Sequence, residues 1–374
     1  MDSLRENAGT PDKARITRRR FMGALLGTAA VPLLAACGGQ QAPAPTTAPA
    51  AAAPKAAATA VPAAQPAAGS SGNKTVMKIA SVLTEQDNIH LALARFKETV
   101  EKKTNGQVEV QIYPNSALGS LRVTFESMQL GNLEAMMSDA VTAANVAPVY
   151  AVPELPYIFK DLDHVHKVLD GPLGKQITDE LLQKGGIRTL VVYDTTFRKI
   201  FSKRPINSIA DMKGMKVRVP EAQNYLRAMQ LLGANPTPVA WGELYTALQT
   251  GVVEGFENKA EAAYQAKLHE QTKYAAYTGH IFCINPLLVS DKWFKSLPAD
   301  TQKIVQDAAS ESLSWQRGYA PTSEKEYEQK MKDAGVTWTS PDVAPFRQAM
   351  EPFFKEYGDK INANDLIKKI REGA

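Results

Sequence analysis

"TVMKIASVL" (residues 75–83) runs apolar and alternating in the manner of a strand, and "NIHLALARFKETVEKKTNG" (88–106) follows it with helical spacing. Leu91, Ala94, Phe96 and Val100 are expected along one side of that helix, with Gly106 closing it after the last charged turn. "QVEVQIYP" (107–114) alternates again, and "SLRVTFESMQLGNLEAMMS" (120–138) returns to helical spacing. An opening of strand, helix, strand, helix implies an α/β fold with a largely parallel sheet covered by helices.

Outward from there the alternation continues. "PLGKQITDELLQKGG" (172–186) is an amphipathic helix ended by two glycines, and "IRTLVVYDT" (187–195) is a strand. "SIADMKG" (208–214) turns into the strand "MKVRVP" (215–220), and "EAQNYLRAMQLLGA" (221–234) is a helix. "NPTPVA" (235–240) is a brief extended piece, "WGELYTALQTG" (241–251) a helix and "VVEGFEN" (252–258) a strand. Residues 292–335 form a long helical region, expected to break near Pro298 and again around Pro321, and the tail from Pro341 adds helices. No internal repeat stands out.

The first seventy residues differ from the rest. The chain of 374 residues carries a net charge of +4, but residues 1–37 hold six basic and three acidic side chains, leaving 37 against 36 beyond them. No basic block persists, which removes a nucleic-acid reading. Thr17, Arg18, Arg19 and Phe21 match a twin-arginine export signal, followed by an apolar run of 13 residues from Ala24 to Ala36, too short to span a bilayer. The run ends in Leu34-Ala35-Ala36-Cys37, which resembles a bacterial lipobox and implies that Cys37 becomes the lipid-bearing first residue. Residues 38–74 are almost wholly Ala, Pro, Thr, Gln, Ser and Gly and are expected to form a disordered tether. Cys283, in "GHIFCINPLLV", is left without a partner and is expected to be a small buried hydrophobe.

Catalytic signatures are missing from the sequence. There is no GxSxG, HExxH, phosphate loop or GxGxxG, so no cofactor or metal is implied. His164 and His166 form an HxH pair on an expected surface helix with no third ligand in reach by spacing. Glu254 and Glu257, three apart in a strand, face opposite sides and argue against a paired acid and base. An exported enzyme acting on a carboxylate is the weaker alternative.

One residue is out of place in this pattern. Arg218 sits in an alternating strand whose neighbours look built for burial, and a guanidinium cannot give up its charge in a dry site, so it needs water or an anion. "MKGMKVRVP" through "ELYTALQTGVVEGFEN" (212–258), with "SVLTEQDNIH", "PELPYIF", "DTTFRKIF" and "LLVSDKWFKSLPADTQKIVQDAA", resembles the extracytoplasmic solute-binding proteins of TRAP transporters, the DctP type, from about Thr75 to the C-terminus.

That resemblance implies a two-lobed, periplasmic-binding-protein-like fold joined by crossing strands and a long helix. Lobe I is expected over 75–195 plus about 284–323, and lobe II over 196–283 plus about 324–374. It further implies a small organic acid in the cleft and membrane permease subunits as partners, or a sensor instead of a permease. By the family motifs Arg218 meets the ligand carboxylate, Arg198 is a second arginine and Asn258 a ligand contact. Asp-Gly-Gln of the usual motif is replaced by Glu254-Gly255-Phe256, with Phe256 expected in the core. Trp241 either faces the cleft or packs in its helix, and Glu85, Gln86 or Asp87 in the first strand-to-helix loop could accept from ligand hydroxyls. A sugar acid or comparable monocarboxylate is favoured over a C4-dicarboxylate.

Overall fold

The computed structural model describes residues 74–373, so the export signal, Cys37 and the tether before residue 74 lie outside the described residues. The strands are β1 (Thr75–Ala80), β2 (Val108–Tyr113), β3 (Ala135–Met137), β4 (Ile187–Tyr193), β5 (Lys199–Ser202), β6 (Lys216–Val219), β7 (Asn235–Pro238), β8 (Gly255–Asn258), β9 (Tyr274–Ala276), β10 (Asn285–Ser290) and β11 (Thr337–Thr339). They form two sheets, ordered β2-β1-β3-β10-β4 in lobe I and β11-β9-β5-β8-β6-β7 in lobe II. Strands β1, β2 and β3 are parallel, as are β6, β7 and β8, while β10 and β5 run against their neighbours.

The first helix, Asn88–Lys103, is held at its start by Asp87, whose carboxylate accepts from the Ile89 N–H at 2.9 Å. Its buried face is Ile89, Ala92, Leu93, Phe96 and Val100, a spacing of 3, 4, 7 and 11. Ala94, expected on that face, is exposed, because the stripe starts at Ile89 rather than at Leu91. These residues pack with Met77, Val110 and Val289 of the sheet and with Val305, Ala308 and Ala309 of the long helix. Phe96 and Val305 are fully buried, each such side chain contributing on the order of 1.5–3 kcal/mol. In lobe II, Phe201 and Phe256 stack with centroids 5.0 Å apart, so Phe256 does lie in the core.

The chain passes between lobes at residues 194–198 and 277–284, two segments tied by an antiparallel bridge between Phe197 and Phe282. A third connection is the helix Ala299–Asp333, which packs on Asn88–Lys103 and β4 at one end and on Ala260–Gln265 at the other. A break occurs at Pro298, but the helix continues through Pro321. The Pro321 ring lies on the exposed side, where water can take the carbonyl it leaves unbonded. The tail touches both lobes: Ala344–Ile361 packs on Gln223–Leu231, while the Ile370 carbonyl meets His164 Nε2 at 2.7 Å.

Candidate functional site

Strand β6 is covered on both faces, which is why Val217, Arg218 and Val219 are all buried while Lys216 alone is exposed. Arg218 is 4% exposed. Its Nε donates to the Val239 carbonyl at 2.8 Å, which fixes the plane of the guanidinium. Among the described residues its two Nη atoms bond nothing, and no carboxylate lies within ion-pair distance. Burial pushes its pKa down to about 10, offset in part by the more distant Glu257. The Trp241 ring lies 5.7 Å from its Cζ, a favourable face for a cation.

Arg218 opens into a cavity of about 360 Å³ lined by both lobes. Lobe II contributes Arg198, Arg218, Trp241 and Asn258, and lobe I contributes Val82, Leu83, Leu121, Asp139, Val141 and Thr142. Val82, Asp139, Pro220 and Asn258 follow or end β1, β3, β6 and β8, so one pair of parallel strands from each sheet brings its carboxyl ends to the same space. Open α/β sheets place ligands there.

Arg198 also borders the cavity, but its charge is already met. Its Nε donates to Glu257, and its Nη2 donates to Glu257 Oε1 at 3.0 Å and to the Glu257 carbonyl at 2.7 Å. Burial pushes the Glu257 carboxyl up, yet Arg198 and His280 outweigh it and hold the group below its usual range. His280 Nε2 stands 3.7 Å from the same carboxylate. Facing opposite Glu254 therefore did not leave Glu257 without a role: its partner lies 59 positions away.

Asn258 turns its Oδ1 to the Lys259 N–H at 2.8 Å, leaving the amide nitrogen for the cavity. Trp241, on a short 3₁₀ turn, lines the cavity rather than packing wholly into a helix. Glu85 does not line it. The loop turns at Glu85 and Gln86 toward solvent so that Asp87 can cap the helix, and it is Val82 and Leu83 that face the cavity. His164 and His166 diverge: one reaches the Ile370 carbonyl, and the other reaches Asp194 at 2.5 Å. Asp139 and Thr142 escaped the sequence reading, although Asp139 follows β3, where the switch-point rule would have pointed.

The sequence matches the bacterial extracellular solute-binding proteins, family 7 (DctP), over residues 79–360. It is 33% identical over 307 residues to the sialic acid-binding periplasmic protein SiaP of Vibrio cholerae, covering 81% of this chain and 94% of that one. It is 32% identical over 299 residues to the C4-dicarboxylate-binding periplasmic protein DctP of Rhodobacter capsulatus, covering 78% and 89%. A TRAP periplasmic solute-binding protein of Xanthobacter autotrophicus with bound β-D-galacturonate superposes with a TM-score of 0.76 at 31% identity, over 79% of this chain and 99% of that one.

Proposed function

The chain belongs to the DctP family of bacterial extracellular solute-binding proteins, and from that premise we propose that Arg218 holds the carboxylate of a small organic acid between the lobes. The protein is the extracytoplasmic solute-binding component of a TRAP transporter, in a family of receptors rather than enzymes. Among the described residues no helix is long and apolar enough to cross a membrane. The observation that carries the site is the buried guanidinium of Arg218, whose two free Nη atoms face the cavity. A carboxylate there restores a bidentate, charge-assisted pair worth roughly 1.5–3 kcal/mol.

Sugar acids such as the galacturonate held by the structural relative suit a cavity of about 360 Å³. Asn258 would contact the ligand, Trp241 would cover it, and Arg198 would act mainly through Glu257 as part of the wall. Because both lobes line the site, an acid bound there favours the closed arrangement by its differential affinity. Lobe I would comprise 75–195 and about 284–323 and lobe II the remainder, with the permease receiving the closed form. Export by the twin-arginine route and a lipid on Cys37 would hold the protein outside the cytoplasmic membrane, the Ala/Pro tether giving it reach.

Titration calorimetry against uronates, aldonates, C4-dicarboxylates and 2-keto acids tests this. Arg218→Ala is expected to weaken the best ligand at least tenfold. Equal binding by the variant would remove the central claim.

A further inference from the structure

We propose that the cleft selects an acid carrying a single negative charge, and that Asp139 is the residue that turns away a second carboxylate. This rests on the reading that Arg218 holds the first.

Four cations line the cavity, and three are already neutralised. Arg122, at the exposed rim, pairs with Glu126 at 3.1 Å. Arg198 is held by Glu257. Lys259 is buried between Asp87 at 2.9 Å and Glu261 at 3.0 Å. Arg218 alone has no acid within 4 Å among the described residues, so the site offers one uncompensated positive charge.

The one lobe I cation is Arg122, which stays at the exposed rim in its pair with Glu126. The lobe I wall mixes apolar members such as Val82, Leu121 and Val141 with the neutral polar side chains of Ser120, Thr142 and Asn145, and Asp139 is its one acid. Asp139 is fixed by accepting from the Thr142 N–H at 2.9 Å through Oδ1, which leaves Oδ2 without a protein partner among the described residues. Burial pushes its pKa above the usual carboxylate range, an effect that the hydrogen bonds from Thr142 and the fields of Arg198 and Arg218 offset only in part. Glu221 and Glu243, both exposed, make the lobe II rim acidic as well.

A dianion closed into this cavity would bring its second carboxylate to a wall whose one buried charge is the like-charged Asp139, while the lobe I cation Arg122 is held at the rim by Glu126. A hydroxyl or ammonium at the same place would instead donate to Asp139 Oδ2. Specificity would then come from a repulsive element as much as from an attractive one.

Matched pairs that differ in one terminal group separate these outcomes: galactonate with galactarate, and butyrate with succinate, alongside a broader set of monoacids and their diacid counterparts. They are titrated at pH 8 into the wild-type protein, Asp139→Asn, Asp139→Ser and Arg218→Ala; Asn and Ser both keep the helix cap. The tightest wild-type ligands are expected to be monoacids, each binding at least tenfold better than its diacid. In either Asp139 variant the ratio is expected to fall to threefold or less. A diacid that binds the wild-type protein as well as its monoacid, or a ratio unchanged in both variants, overturns the proposal while leaving the carboxylate site intact. Ligands indifferent to Arg218→Ala, or no acid bound at all, would overturn the parent reading and this proposal with it.

Discussion

Arg218 and Arg198 border the same cavity, are both buried, and differ in who answers their charge. The sequence made Arg218 conspicuous, because an arginine in an apolar alternation demands an explanation within four residues of text. It could not tell which arginine stays free, since Glu257 finds Arg198 only once β5 and β8 pair antiparallel. Glu154 was equally hidden: fully buried, it accepts from the Ile284 N–H at 2.8 Å and from the Tyr225 hydroxyl at 3.1 Å. Burial pushes its pKa from 4.5 up to about 8. A raised carboxyl favours the protonated form in the folded state, so its stabilisation is complete below about pH 4.5 and is lost as pH rises toward 8. At about 1.4 kcal/mol per unit, the loss is on the order of 3–5 kcal/mol across that window. Urea unfolding is therefore expected to show a midpoint that declines from pH 5 to pH 8, with Glu154→Gln flattening the decline. Parallel slopes for the two proteins would show that the group titrates normally.

Elements were the most legible level, as the opening strand and helix pattern led directly to a parallel sheet. What stayed obscure were the short strands, such as β5, β9 and β11, whose three or four residues make no periodic signal and are fixed by their neighbours. A local duplication was also invisible. In lobe I the helix Leu121–Gln129 turns at Gly131 (φ 79°) into β3, and in lobe II Leu244–Gln249 turns at Gly251 (φ 75°) into β8. The two units share little beyond Gln, Gly and Glu, yet they place Asp139 and Lys259 at corresponding points beside the cavity. Within the second unit, Gly255 is required by the approach of β5. A Cβ there would stand 2.7 Å from the Phe201 carbonyl oxygen, a backbone atom that cannot rotate away. Gly255→Ala is expected to push β5 and β8 apart and destabilise lobe II by about 1–3 kcal/mol. Thermal unfolding measures this, and an unchanged midpoint would mean that the sheet relaxes at no cost.

Across the whole molecule, the two-lobed plan was readable from the family resemblance, but the contacts that join the lobes were not, because they unite residues as distant as Asp87 and Lys259, 172 positions apart. Next to the cavity, Lys259 of lobe II is buried against Asp87 of lobe I, and Glu261 accepts from the Asn88 N–H at 2.9 Å. Gln316 of the long helix donates to Asn88 Oδ1 at 2.6 Å, and Ser323 donates to Glu261 at 2.9 Å. One lysine thus faces two buried carboxylates, and burial already pushes the Asp87 carboxyl up. Removing the lysine would leave two like charges together without water, whereas a surface pair such as Arg227 with Glu356 would merely return its members to solvent. Lys259→Met is accordingly expected to cost about 3–5 kcal/mol in denaturant unfolding, against less than about 1 kcal/mol for Arg227→Ala. Adding Glu261→Gln to Lys259→Met should recover part of the loss, since it takes away one of the stranded charges. If the double variant is no more stable than Lys259→Met, the charge balance is not what holds the lobes together at this point, and packing around the long helix is.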